Sequence, residues 1–175
     1  MADPEVPIAV DAETGVWSVD GLPMILVPRH FLVNNHKAIE AAIGVEANAR
    51  LLHEAGRESA YYWCEREAAT HGIAGADVFR HYMRRLSQRG WARFTVLDLD
   101  AAAGTARIRV DHSVFVAEYG REAGRKVCYM FLGWFVGALD YAGRGLGRDH
   151  GLRAAEVACA AEGRSDHCLF EVVPR

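Results

Sequence analysis

The sequence predicts an α+β fold in which N-terminal helices pack on an antiparallel sheet with one buried helix, on three observations. An Asp20-Gly21 pair separates two apolar runs, the strongest short-range hairpin signal. Residues 36–88 carry apolar side chains at helical spacing, whereas residues 91–110 switch to a period of two. Tyr129–Tyr141 is apolar on nearly every side, which in a helix means burial all round. Helices that precede the strands, rather than alternate with them, favour α+β over a parallel α/β sheet.

Each element follows from local residues. Residues 1–35 read as a lead-in and hairpin, and residues 36–175 as a single domain. Val16–Val19 and Leu22–Val27 are the hairpin arms, closed by Pro28. Asn34-Asn35 predicts a cap for a helix from His36 through Ile43, ended by Gly44. A longer helix follows from Glu46 to Thr70, open to interruption at Gly56 and stopped by His71-Gly72. Val78, Phe79, Tyr82, Met83 and Leu86 form one face of a third helix, Ala76–Gln88, which Gly90 ends. Trp91–Leu97 and Thr105–Val110 alternate as strands, with Val114–Val116 as an extension of the sheet. A polar loop, Gly120–Gly124, leads to the buried helix, Tyr129–Tyr141. The glycine-rich loop 143–151 and two strands, Leu152–Cys159 and His167–Val173, complete the chain.

Composition narrows the function. The 175 residues are 51% hydrophobic and 25% charged, with a net charge of −3 and only two lysines, Lys37 and Lys126. No concentrated basic face of the kind that binds nucleic acid is present. The stretch Cys128–Ala142 is shorter than the ~20 residues a membrane span needs. An acidic, proline-bearing start differs from a secretory signal. The expectation is a soluble cytoplasmic protein, in which Cys64, Cys128, Cys159 and Cys168 are free thiols or metal ligands rather than disulfides. There is no nucleophile elbow, phosphate loop or dinucleotide fingerprint, and none of the eight histidines shows zinc-protease spacing. The chain therefore reads as a binding domain rather than an enzyme.

Its most specific pattern is Glu156-x2-Cys159-x8-Cys168, preceded by Cys128 at the start of the buried helix. Thiolates are preferred zinc ligands, and a carboxylate can complete a tetrahedral set. A hairpin returns Cys168 beside Cys159, and a helix N-terminus at Cys128 favours a thiolate. In a regular strand, residues three apart point to opposite faces, so joint ligation by Glu156 and Cys159 requires a bulge. The same cysteines also read as small buried hydrophobes. Trp63, His81, Trp91, His112 and Trp134 are candidate ligand-binding residues, aromatic or polar-tipped side chains able to line a cavity between helices and sheet. Gly133 and Gly137 permit close helix packing or a dimer seam. Arg84, Arg85 and Arg89 read as a solvated helix end.

Cys128-Tyr-Met-Phe-Leu-Gly-Trp-Phe-Val-Gly-Ala138, followed by Glu156-Val-Ala-Cys-Ala-Ala-Glu-Gly163 and Cys168-Leu-Phe170, resembles the 4-vinyl-reductase-type domain. That family includes the sensor modules of aromatic-responsive transcriptional activators, and its fold is similar to Golgi transport-particle subunits and haem-based nitric-oxide sensors. The resemblance implies a structural zinc held by Cys128, Glu156, Cys159 and Cys168, a small-molecule ligand and a homodimer. The sequence departs from the sensors in its longer interval between Cys128 and Glu156. It also has no clear counterpart of their phenol-contacting histidine and tryptophan; the nearest positions are Ser87-Gln88 and Val110-Asp111. With Val16-Trp17, Asn34-Asn35-His36, Trp63-Cys64, Arg85-Leu-Ser-Gln-Arg-Gly-Trp91 and Asp111-His112-Ser113, the chain also looks like a proteobacterial subgroup of unknown function, often encoded beside enzymes that demethylate glycine-betaine derivatives. Three roles follow: a sensor or accessory protein in catabolism of a small aromatic or N-methylated compound; an enzyme of N-methyl amine demethylation or tetrapyrrole modification with His81 or His112 as acid/base; or a protein-interaction scaffold.

Overall fold

Both residues of the Asp20-Gly21 turn adopt positive φ, 51° and 77°, as a two-residue hairpin of type I′ requires. They join β2 (Trp17–Val19) to β3 (Leu22–Met24), with Val19 opposite Leu22. The structure, a computed structural model, describes residues 6–175. The first five residues of the expected lead-in lie outside the described residues. A strand that the sequence reading did not anticipate, β1 (Ile8–Val10), pairs antiparallel with β2. All three of its residues are exposed, so it carries no alternation of burial to read.

Helix α1 (Arg29–Ile43) begins directly after Pro28, seven residues before the expected start at His36. Pro28 takes φ −59° and ψ 137°, an extended residue that hands the chain to the first helical turn. Asn34-Asn35 is therefore inside the helix rather than its cap, and Asn35 Nδ2 donates to Phe31 O at 3.0 Å. The 35/36 boundary falls within α1. Gly44, at φ 84°, separates α1 from α2 (Val45–His71). That helix runs through Gly56 without a break, and Gly72 in the left-handed region ends it. Helix α3 (Ala76–Gln88) has the expected bounds and buries the expected face, Val78, Phe79, Tyr82, Met83 and Leu86.

The main sheet is wholly antiparallel in the order β4-β5-β7-β6, formed by β4 (Arg93–Asp100), β5 (Thr105–Asp111), β6 (Leu152–Ala158) and β7 (Cys168–Pro174). Residues 114–116 do not extend it. They open helix α4 (Val114–Tyr119), because Ser113 Oγ accepts the Phe115 amide at 3.2 Å and caps the turn. The β-branched Val-Phe-Val run suggested a strand, but the cap outweighs that preference. Helix α5 (Met130–Arg144) contacts β6 and β7 as well as α2 and α3. It is buried along most of its length, and Phe131 and Phe135 meet Phe94 and Phe170 of the sheet at centroid distances of 5.1–6.3 Å. The result is an α+β molecule whose central helix lies between an antiparallel sheet and the long helix α2. No helix among the described residues is long and apolar enough to cross a membrane.

Candidate metal centre and aromatic interior

Strand β6 slips by one residue against β7 between Glu156 and Ala158. This is the irregularity that joint use of Glu156 and Cys159 requires, since it turns both side chains to one face. Past the strand, Cys159 opens a short 3-10 turn (Ala160–Glu162), and Glu162 Oε2 accepts the Cys159 amide at 3.0 Å. Cys168 begins β7, opposite Val110 of β5. Cys128 lies just before α5, its amide donating to Glu156 Oε2 at 3.3 Å. One donor atom from each of Cys128, Glu156, Cys159 and Cys168 lies within 4.8 Å of the other three, and all four residues are buried.

The sulfur spacings are informative. Cys128 Sγ and Cys168 Sγ are 3.8 Å apart, and Cys168 Sγ and Cys159 Sγ are 3.7 Å apart. These are not disulfides; all four cysteines of the chain are free. Thiolates about 2.3 Å from a tetrahedral ion sit about 3.8 Å from one another, so both of these sulfur pairs already have the separation such an ion imposes. Burial, and then the charge of Cys159, pushes the Glu156 carboxyl up to about 9. The Cys159 thiol moves the opposite way, far below its usual value, because Cys128 and Cys168 direct S–H groups at it. The Cys128 thiol goes up through its own bonds to Cys159 and Cys168 and through its burial. Glu156 Oε1 has no hydrogen-bond partner. Three buried thiols and a carboxyl group that converge closely enough to compete for protons suit a cation. Two further neighbours of the sulfurs escaped the sequence reading. Ser113 Oγ lies 3.1 Å from Cys128 Sγ, and the Ala160 amide donates to Cys168 Sγ at 3.3 Å. The sequence, read as a strand at residues 114–116, marked Ser113 neither as a helix cap nor as a neighbour of a sulfur fifteen residues away.

The five candidate ligand residues do not form one group. Trp91 and Trp134 meet edge to face at 4.8 Å, and Trp134 packs on Gly56, where a Cβ would lie 2.9 Å from its ring. Trp63 stacks on His81 at 5.6 Å, with the Arg89 guanidinium 5.2 Å from its ring centre. Both ring nitrogens of His81 are engaged within the protein rather than turned to the aromatic interior: Nε2 is 2.7 Å from Glu67 Oε2 and Nδ1 is 2.8 Å from Arg84 Nη2. His112 is exposed at the corner between β5 and α4, held at φ 56°, so its ring does not line the interior. Its turn geometry, rather than a cavity, sets its position.

The sequence reading also missed a polar network at Glu40. Its carboxylate accepts from Tyr129 Oη at 2.6 Å, Tyr119 Oη at 2.8 Å and Arg125 Nη2 at 2.6 Å. These partners lie about 80 residues or more away in sequence, beyond any local pattern.

Two solved structures share the fold. The phenol-responsive sensory domain of the transcription activator PoxR, solved with phenol, aligns with a TM-score of 0.77 at 22% identity, over 95% of this chain and 84% of that one. A trafficking protein particle complex subunit 3 from Naegleria fowleri, covalently bound to palmitic acid, aligns with a TM-score of 0.51 at 12% identity, over 84% of this chain and 95% of that one. No curated protein matches the sequence. Residues 2–97, more than half of the chain, match the model of a family described as a domain of unknown function (DUF5943), and the chain belongs to that family.

Proposed function

We propose that the protein is a zinc-stabilised, small-molecule-binding domain of the vinyl-reductase type. It acts as a cytoplasmic sensor or accessory protein in catabolism of a small aromatic or N-methylated compound. The observation that carries this reading is the convergence of three sulfurs, with Cys168 3.7–3.8 Å from each of the other two, and a buried carboxyl group, in a fold shared with a phenol-responsive sensory domain. A closed set of four protein ligands leaves no open position for substrate, so the zinc is structural: it ties the β6–β7 end of the sheet to the start of α5. Trp91 and Trp134, with Trp63 beyond them, are the proposed ligand contacts. Exposed Phe31, Ile39, Ile43 and Leu51 on α1 and α2 give the proposed homodimer an apolar face.

The metal and ligand halves are tested separately. Purified protein should contain near-stoichiometric zinc, and Cys159→Ser should lose both the metal and part of the thermal stability; metal-free protein of unchanged stability would overturn the zinc assignment. Thermal-shift measurements against phenols, betaines and N-methylated glycines should give a stabilising compound, worth about 2.7 kcal/mol at a hundredfold excess over Kd. Trp134→Ala should abolish that shift. A flat response across all three classes would remove the ligand-binding role.

A further inference from the structure

A second set of donors converges well away from the cysteines in sequence, where the tip of the β2–β3 hairpin meets α2 and α3. Asp20 comes from the hairpin turn, Glu67 and His71 lie one turn apart near the end of α2, and His81 faces them from α3. One donor atom from each lies within 4.8 Å of the other three. His81 Nε2 and His71 Nε2 approach the same oxygen, Glu67 Oε2, at 2.7 and 3.4 Å, and His71 Nε2 is 3.7 Å from Asp20 Oδ1.

An independent feature points into this set. The Glu67 side chain has 0% exposure, yet its second oxygen, Oε1, has no hydrogen-bond partner. An idle oxygen on a fully buried carboxyl group is costly unless a proton shared with a neighbour such as Asp20, or a cation, completes it. Around the donors the groups are arranged as supports. Arg85 Nη2 holds Asp20 Oδ2 at 2.8 Å from α3, as outer partners orient ligating carboxylates. The His71 side chain is 33% exposed and leaves a route from solvent.

We propose that Asp20, Glu67, His71 and His81 bind one divalent transition-metal ion that clamps the N-terminal hairpin to the α2–α3 pair. Two imidazoles and two carboxylates suit zinc, nickel or cobalt, rather than the all-oxygen shells of calcium or magnesium. The two carboxylates also match the ion's charge. Without metal, Arg84 can only donate to His81 Nδ1, so the ring proton sits on Nε2 and faces Glu67. On binding, that proton passes to Nδ1, Nε2 turns its lone pair to the metal, and exposed Arg84 swings aside.

Cobalt(II) titration of the full chain separates this centre from the cysteine set, because only thiolate ligation gives strong sulfur-to-cobalt absorption. The wild type should take up one equivalent without thiolate absorption, in addition to any cysteine-bound ion. His71→Ala should lose that equivalent and keep the thiolate band; Cys159→Ser should do the reverse. His71 is partly exposed, and its removal leaves the Glu67–His81 bond in place, so circular dichroism should show a folded variant. Equal cobalt stoichiometry in wild type and His71→Ala, or uptake only in the thiolate-absorbing form, would overturn the proposal. Uptake without any thiolate band, lost in His71→Ala, would sustain this centre and count against the cysteine one alone.

Discussion

Glu40 shows how a single side chain can join distant parts of the chain. It sits on α1, yet its partners come from α4 (Tyr119), from the loop that follows (Arg125) and from the residue preceding α5 (Tyr129). Tyr129 in turn accepts from Asn48 of α2 at 3.0 Å. Burial acts to raise the Glu40 carboxyl, but the bonds from Arg125, Tyr129 and Tyr119 outweigh it and hold the group below its ordinary range. The sign follows: this stabilisation is complete above the ordinary carboxylate value and is lost as pH falls through the depressed one. Glu40→Gln should cost about 1.5–3 kcal/mol at neutral pH, the range for hydrogen bonds to a charged group, with the difference from wild type shrinking in acid. Urea unfolding at neutral and acidic pH measures both; an equal difference at the two would remove the charge from the explanation. Nothing in the local sequence marked Glu40, because an acidic residue on an amphipathic helix ordinarily faces water.

At the scale of elements, the decisive contact is the crossing of α2 and α5. Gly133 and Gly137 lie one turn apart on α5, and a Cβ on either would meet backbone of α2, the carbonyl oxygens of His53 and Arg57 respectively. The choice left open at these glycines is decided in favour of intramolecular packing. Backbone cannot yield as a flexible side chain does, so Gly137→Ala should destabilise by about 1–3 kcal/mol or more through overpacking. A thermal midpoint unchanged in that variant would contradict the close approach. Element boundaries were legible where a single residue dominates: the Asp20-Gly21 turn, the Gly72 stop and the two ends of α3. They were misread where two local signals compete. Pro28 outranked Asn34-Asn35 as the start of α1, and Ser113 turned a β-branched run into α4. The slip in β6 is the converse case, since the chemistry of Glu156 and Cys159 demanded an irregularity that the strand pattern alone did not show.

For the whole molecule, the cysteine centre joins three segments that lie apart along the chain: Cys128 ahead of α5, Glu156 and Cys159 at the end of β6, and Cys168 at the start of β7. Loss of the proposed ion should therefore loosen the sheet and the central helix together. Treatment with a strong chelator is expected to lower the melting temperature in one cooperative transition, restored by added zinc. A chelated protein with an unaltered transition would separate the fold from the metal. The sequence by itself determined the α+β class and most element types, though not β1 or α4, and pointed to the four residues of the cysteine centre, because hydrophobic period, turn chemistry and donor type are local properties. Only the tertiary structure decided that Asp20 docks beside two histidines, that Glu40 gathers partners from across the chain and that His112 stays outside. Those outcomes depend on distances between residues tens of positions apart, which packing sets and no local pattern encodes.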